Sequence, residues 1–286
     1  MPAAKVGDIN IYYETHGEGE AVVFIMGFGH PSGKWFRQIP VFSREYRVVA
    51  FDNRGTGRSD KPDIPYTMEM MVGDIAGLLE AIDIDAAHIY GVSMGGNIAQ
   101  HFALGYPERV ISLVLGCTGC GGTHGIAGDP EVMQRIFDPE RMRRLSDPER
   151  MQRLTLEEAV REFTEGLAVM VSQEFIDNNP DIIEQWVADT LEHNTPLHGL
   201  ARQGQALAGH DTYDRLPEIE APTLVIAGDA DKLVPVGNSK LLADRIPNAE
   251  LVILEKMGHL FILEASDESN RIIMDFLKRH PRAGGS

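Results

Sequence analysis

Basic residues are scarce in this chain, and cysteines and long apolar runs are scarcer still. The 286 residues include 26 lysines and arginines against 43 aspartates and glutamates, a formal net charge of −17. That balance argues against nucleic acid and anionic membranes as partners, since both need a concentrated positive surface. No run of about 18 apolar residues is present, so we expect no membrane span. The first ten residues lack the basic and apolar segments of a signal peptide, and we therefore expect a cytoplasmic location.

The two cysteines, Cys117 and Cys120, are separated by two residues. A redox pair with this spacing is expected at the start of a helix, but the glycines around it indicate a loop. His124 could add a third zinc ligand, yet a structural zinc site needs four ligands and no fourth lies nearby in the sequence. We therefore interpret both cysteines as small apolar residues near a strand end, and we expect neither a metal nor a cofactor.

Short apolar runs alternate with helical patterns over most of the chain. After an N-terminal hairpin at residues 5–13, buried strands are predicted at residues 21–26, 47–51, 111–115 and 223–227, a last strand at 250–254, and a further strand just before Ser93. A capping Thr67 precedes a predicted helix that follows the second of these runs. Strands that alternate with helices in this way predict a mostly parallel α/β sheet with helices on both faces.

The alternation is interrupted between residues 121 and 210, where only helical periodicity is present. We therefore predict three segments: a first part of the α/β core at residues 1–121, a helical cap at 122–212 and a second part of the core at 213–286. Within the predicted cap, residues 138–146 and 147–155 nearly repeat, and each copy begins with Asp-Pro, a helix-starting pair. We expect the arginines of these repeats to form a solvated helix face.

One pentapeptide suggests chemistry. Residues 91–95, Gly-Val-Ser-Met-Gly, fit G-x-S-x-G, the tight strand-to-helix turn that exposes a nucleophilic serine above a sheet. The crowded turn favours glycine two residues to each side of Ser93. The helix that follows directs its first N–H groups toward the place where negative charge would develop.

Candidate partners for Ser93 follow later strands of the predicted sheet. A serine hydroxyl needs a nearby base, and His259 follows a strand on a short glycine-containing loop at the edge where the carboxyl ends of the strands gather. The base needs an acid, for which Asp229 and Asp231 compete; we choose Asp231 because it lies further past its strand, and Asp229 is the alternative. His30 is a candidate for the pocket lining, and Trp186 of the predicted cap is another.

These landmarks together resemble the α/β-hydrolase family. The resemblance rests on FIMGFGH, FDNRGTGRSD, GVSMGG, GDADKLVP and EKMGH, which occur in register from about residue 5 to 280. It implies a triad of Ser93, Asp231 and His259, and an oxyanion hole formed by the backbone N–H groups of Phe28 and Met94. Many relatives have histidine before the first glycine of the oxyanion loop, where this chain has Met26, so the hydrogen bonding of that loop is expected to differ.

The resemblance is closest to capped carboxylesterases and 3-oxoadipate enol-lactone hydrolases. It implies a carboxylic ester hydrolase that acts on small, mainly apolar esters or lactones through an acyl-enzyme. Enol-lactone hydrolysis, carbon–carbon bond hydrolysis in aromatic degradation and peroxide-dependent acid chemistry are alternatives with the same triad. A small-ligand sensor with slow hydrolysis is an alternative of a different class, because a fold does not fix a function.

Overall fold

The computed structural model describes residues 2–282. Eight strands of this part of the chain form one sheet in the order β1-β2-β4-β3-β5-β6-β7-β8. Strand β2 is antiparallel to its neighbours β1 and β4, and every other pair is parallel. The strands are β1 (Ala3–Val6), β2 (Ile9–His16), β3 (Ala21–Ile25), β4 (Arg47–Phe51), β5 (Ala87–Val92), β6 (Val110–Gly116), β7 (Thr223–Gly228) and β8 (Ala249–Leu254).

The central strands are buried on both faces, as their uninterrupted apolar sequences predict. Along β3, Val23 and Ile25 belong to one core cluster, whereas Val22 and Phe24 belong to the other. Successive side chains of a strand point to opposite faces, so each short run contributes to both halves of the core. The predicted mostly parallel sheet is confirmed.

Helices cover both faces of this sheet. Those described are α1 (Ile39–Phe42), α2 (Met68–Ala81), α3 (Met94–Gly105), α4 (Pro130–Ile136), α5 (Pro139–Leu145), α6 (Pro148–Met151), α7 (Leu156–Leu167), α8 (Gln173–Asn178), α9 (Pro180–Glu192), α10 (Leu197–Ala208), α11 (Gly237–Arg245), α12 (Phe261–Glu264) and α13 (Ser266–Arg279). Residues of α2 and α3 belong to one core cluster and residues of α13 to the other. Across residues 2–282, no helix is long and apolar enough to cross a membrane.

The helices α4 to α10 lie between β6 and β7 and form a helical insertion at the carboxyl end of the sheet. The helices α5 and α6 begin at the two Asp-Pro pairs of the repeat, as predicted. The carboxylate of Asp138 accepts a hydrogen bond from the Arg141 N–H, and Asp147 caps α6 through the N–H groups of Glu149 and Arg150. Each cap satisfies N–H groups that a helix start leaves unpaired.

Two histidines join the end of this insertion to α3. The Nε2 of His210 lies 3.0 Å from the Gly119 carbonyl oxygen, and its Nδ1 lies 3.1 Å from the Nε2 of His101. The carbonyl can only accept, so Nε2 of His210 carries the proton and Nδ1 accepts from His101. Burial lowers the pKa of His210 to about 4, and it also lowers the pKa of His101.

Acid is expected to destabilise the fold through this pair. Between pH 6.5 and about 4 the unfolded chain binds a proton that folded His210 does not, so the free energy of unfolding falls as the pH is lowered through this window, by up to about 3 kcal/mol from this group. The measurement is urea unfolding at pH 7, 6, 5 and 4.5. His210→Gln keeps an amide donor for Gly119 and should reduce the pH slope. An unchanged slope in that variant would contradict the assignment.

Candidate active site

Ser93 occupies the turn between β5 and α3 in a conformation that side chains rarely adopt, with φ 54° and ψ −124°. Such backbone strain persists only where the surroundings enforce it, and it is typical of functional sites. The glycines on each side permit this turn. A Cβ at Gly91 would collide with the Gly95 carbonyl, and one at Gly95 would collide with the Ile25 carbonyl. The G-x-S-x-G pattern therefore corresponds to real steric limits in this fold.

The three side chains that the resemblance groups together meet at the carboxyl end of the sheet. Nε2 of His259 lies 3.1 Å from Oγ of Ser93, and Nδ1 of His259 lies 2.7 Å from Oδ2 of Asp231. A carboxylate can only accept, so Nδ1 carries the proton and Nε2 presents its lone pair to the serine hydroxyl. This is the tautomer that a general base requires.

The structure also distinguishes between the two aspartates that are candidates for the acid beside His259. Asp231 is buried, and its Oδ1 accepts hydrogen bonds from the N–H groups of Leu233 at 2.9 Å and Val234 at 2.8 Å. Both of its oxygens are thus bonded, which fixes the carboxylate against the imidazole. Asp229 is exposed and accepts the Lys256 N–H at 2.5 Å, so it caps the loop after β8, and within residues 2–282 it makes no hydrogen bond with His259.

The two backbone N–H groups proposed for anion stabilisation are free in the described part of the chain. Neither Phe28 nor Met94 donates its N–H to another residue within residues 2–282. Met94 begins α3, where helix geometry leaves the N–H unpaired. A Cβ at Gly27 would lie 3.2 Å from the Ser93 Cβ, so the loop that carries Phe28 passes directly beside the serine.

A glutamine of the insertion holds this loop, and no pattern in the sequence indicates this role. Oε1 of Gln203 accepts the Gly29 N–H at 2.8 Å, while its Nε2 donates to the Arg54 carbonyl oxygen at 2.9 Å. Thr195 donates its hydroxyl to the Gly29 carbonyl oxygen at 2.9 Å. Polar residues on a helix are usually solvated, so only the fold shows that Gln203 is buried. At Met26 the carbonyl oxygen accepts from the Asn53 side chain at 3.0 Å.

A cavity of about 310 Å³ opens onto Ser93 and His259. Methionine, leucine, isoleucine and phenylalanine side chains form most of its wall, and both Phe28 and Met94 border it. His30 and Trp186 line it as well, with ring centroids 5.4 Å apart in an edge-to-face arrangement. Apolar walls with a few polar groups are typical of small-molecule sites.

A buried lysine fixes this part of the wall. Nζ of Lys34 lies 3.0 Å from Oδ2 of Asp189, donates to Thr190 at 2.6 Å and bonds the Trp186 carbonyl. Burial lowers the pKa of Lys34 to about 8, against the opposing effect of Asp189. Burial, together with the charge of Lys34, lowers the pKa of His30 to about 3, so His30 is neutral at physiological pH.

The interpretation of the repeat arginines is wrong for Arg141. Arg143 and Arg144 are exposed, but Arg141 is partly buried and lines the cavity. The reason is steric: Gly166 of α7 has no side chain, and the guanidinium occupies the space that a Cβ there would fill. Periodicity along α5 alone could not show this, because the deciding residue belongs to another helix.

Neither cysteine forms a disulfide. Cys117 and Cys120 are buried free thiols, and burial raises the pKa of both, most strongly that of Cys117. A buried thiol with a raised pKa is a poor nucleophile at neutral pH. Within residues 2–282, no group of three or more His, Cys, Asp or Glu side chains is arranged to hold a metal ion.

A mostly parallel sheet with helices on both faces and a strained serine at a strand-to-helix turn defines an α/β hydrolase. The family model described as alpha/beta hydrolase fold matches residues 20–266. The chain belongs to this family and is a hydrolase.

Individual relatives cover nearly the whole chain. A 2-hydroxy-6-oxo-6-phenylhexa-2,4-dienoate hydrolase of Comamonas testosteroni is 31% identical over 280 residues, 96% of this chain and 93% of the relative. Two solved structures are similar. The enol-lactonase from Burkholderia xenovorans LB400 has a TM-score of 0.79 at 25% identity, covering 97% of this chain and 100% of that one. Est816, an N-acyl homoserine lactone degrading enzyme, has a TM-score of 0.78 at 31% identity, covering 96% and 100%.

Proposed function

We propose that this hydrolase cleaves carboxylic esters or lactones of small, mainly apolar substrates through a covalent acyl-enzyme. The observation that carries the proposal is the continuous hydrogen-bonded chain from Ser93 through His259 to Asp231, at the mouth of an apolar cavity. A serine hydroxyl is weakly nucleophilic by itself, and an adjacent oriented imidazole is what activates it.

In the proposed reaction, Oγ of Ser93 attacks the carbonyl carbon while Nε2 of His259 takes the hydroxyl proton. The N–H groups of Phe28 and Met94 stabilise the resulting oxyanion, and Asp231 stabilises the imidazolium. His259 then protonates the leaving alkoxide, and the acyl group stays on Ser93. Water, deprotonated by His259, hydrolyses this ester and restores the serine. For a lactone, the leaving alcohol remains tethered to the acyl group.

We further propose that the helical insertion is the cap of the site and that His30 and Trp186 contact the substrate. The cap contributes much of the apolar wall, and its Gln203 and Thr195 hold the loop that carries Phe28. The boundaries at residues 122 and 212, like the cytoplasmic location, stay predictions.

Carbon–carbon bond hydrolysis is the second candidate. It is favoured by the dienoate hydrolase that is 31% identical to this chain. That chemistry uses the same site, so side-by-side assays must separate it from ester and lactone cleavage.

The experiment is rapid mixing with p-nitrophenyl acetate, followed by steady-state assays on esters, lactones and vinylogous 1,5-diketones. We expect a p-nitrophenol burst of one equivalent per chain and ester or lactone turnover well above about one per second. Turnover of the diketones alone would favour the second candidate. A burst with no further turnover would favour a sensor, and the absence of both burst and turnover would contradict the proposal.

A further inference from the structure

Among the described residues that line the cavity, Arg141 alone carries a permanent charge. Among the described residues that line it, no aspartate, glutamate or lysine is present. The arginine therefore faces a mostly apolar space without a counter-ion in the lining. The proposed acyl transfer needs no cation at this place, so it does not explain why an arginine lines the cavity.

The guanidinium has no partner within residues 2–282. The backbone N–H of Arg141 bonds Asp138, but the side chain makes neither an ion pair nor a hydrogen bond, and its Nε is buried and unsatisfied. The nearby carboxylate of Glu162 is already held by Arg144 and Arg150, each at 2.6 Å. Buried polar groups are nearly always satisfied, so an orphaned one inside a cavity points to a group that arrives with a ligand.

The structure provides a specific place for this guanidinium. A Cβ at Gly166 would lie 3.0 Å from its Cζ and would collide with Nη2. Burial lowers the pKa of Arg141, and the charge of Glu165, which is itself exposed, opposes this effect. An arginine stays protonated in proteins nonetheless, so a partly desolvated cation is held beside α7.

We propose that Arg141 binds a carboxylate on the substrate, so that the enzyme acts on esters or lactones that also carry an acid group. This inference rests on the proposed function and names its substrate class. A planar guanidinium bonds a carboxylate through two parallel N–H groups. A single cation in an apolar wall suits a monoanion, whereas a phosphate monoester would bring about two charges and find no second cation.

The test compares matched phenyl esters with and without a terminal acid, such as monophenyl adipate and phenyl hexanoate, in wild type and variants. Wild type should prefer the half-ester. Arg141→Met should lower kcat/KM for the half-ester by about 10²-fold, mainly through KM, and change that for phenyl hexanoate by less than about threefold. Arg141→Lys should be intermediate, because it keeps the charge without the paired donors. Arg143→Met, on the exposed side of the same helix, is the control and should match wild type.

A second variant and a binding measurement guard against misfolding. Gly166→Ala keeps the arginine but displaces it, and it should reproduce the selective loss on the half-ester. Calorimetry with monomethyl adipate, which carries a single carboxylate, should show binding in the Ser93→Ala background that Arg141→Met weakens, whether or not Ser93 is the nucleophile. Equal effects on both phenyl esters, or binding of monomethyl adipate that does not depend on Arg141, would overturn the carboxylate site. If the neutral ester is still hydrolysed in a Ser93-dependent way, the proposed function survives that result.

Discussion

Ser93→Ala is expected to lower kcat/KM for short p-nitrophenyl esters by about 10⁴-fold or more. The hydroxyl is placed to attack, because its Oγ lies 3.1 Å from Nε2 of His259, which can take its proton. Without it, the cavity and the two N–H groups proposed to stabilise the anion remain, but no acyl-enzyme can form. The measurement is steady-state hydrolysis of p-nitrophenyl acetate and butyrate by the two proteins.

Ser93→Gly is the matched control for this prediction. Glycine tolerates the positive φ of 54° that alanine, like serine, adopts only with strain. The glycine variant should therefore unfold at a higher temperature than the alanine variant, while both lack activity to the same extent. If the more stable variant were also clearly the more active one, or if either variant kept near-normal turnover, the role of Ser93 would be contradicted.

Asp231→Asn is expected to lower kcat by about 10⁴-fold, whereas Asp229→Asn should stay within about threefold of wild type. The backbone N–H groups of Leu233 and Val234 occupy Oδ1 of Asp231. An asparagine that keeps its oxygen there turns its NH₂ toward His259. The imidazole must then accept at Nδ1 and carry its proton on Nε2, where it can no longer take the serine proton.

The two aspartate variants should be compared by circular dichroism and thermal melting before their kinetics. Both replacements preserve size, and Asp229 serves as the control because it contacts the loop N–H of Lys256 and not the imidazole. A large loss in Asp229→Asn with little loss in Asp231→Asn would reverse the assignment of the acid.

Much of the fold could be predicted because its strands are short apolar runs that only a sheet covered on both faces can bury. The strand predicted at residues 47–51 is β4 as observed, and Thr67 caps α2 by accepting the Met70 N–H. The need for glycine at position 91 could be predicted as well, because a Cβ there would collide with the Gly95 carbonyl of the same turn. At Gly95 the limit is set by the carbonyl of Ile25, on the neighbouring strand.

The contacts of the insertion with the core could not be predicted. The burial of Gln203 and the partial burial of Arg141 depend on which helix lies opposite, and neither α10 nor α5 encodes that by itself. Lys34 is similar: a lysine in a short 3₁₀ helix is usually solvated, and only the position of Asp189 on α9 explains its burial. A contact between two residues that are far apart in the chain produces no periodic pattern in a single sequence.

Covalent labelling with a fluorophosphonate tests the central claim most directly. Such a reagent phosphonylates a serine only where a base and anion-stabilising groups activate it. We predict that intact-protein mass spectrometry will show one adduct per chain, that peptide mapping will place it on Ser93, and that Ser93→Ala will remain unlabelled. An adduct on a different serine, or labelling that persists in Ser93→Ala, would contradict the account.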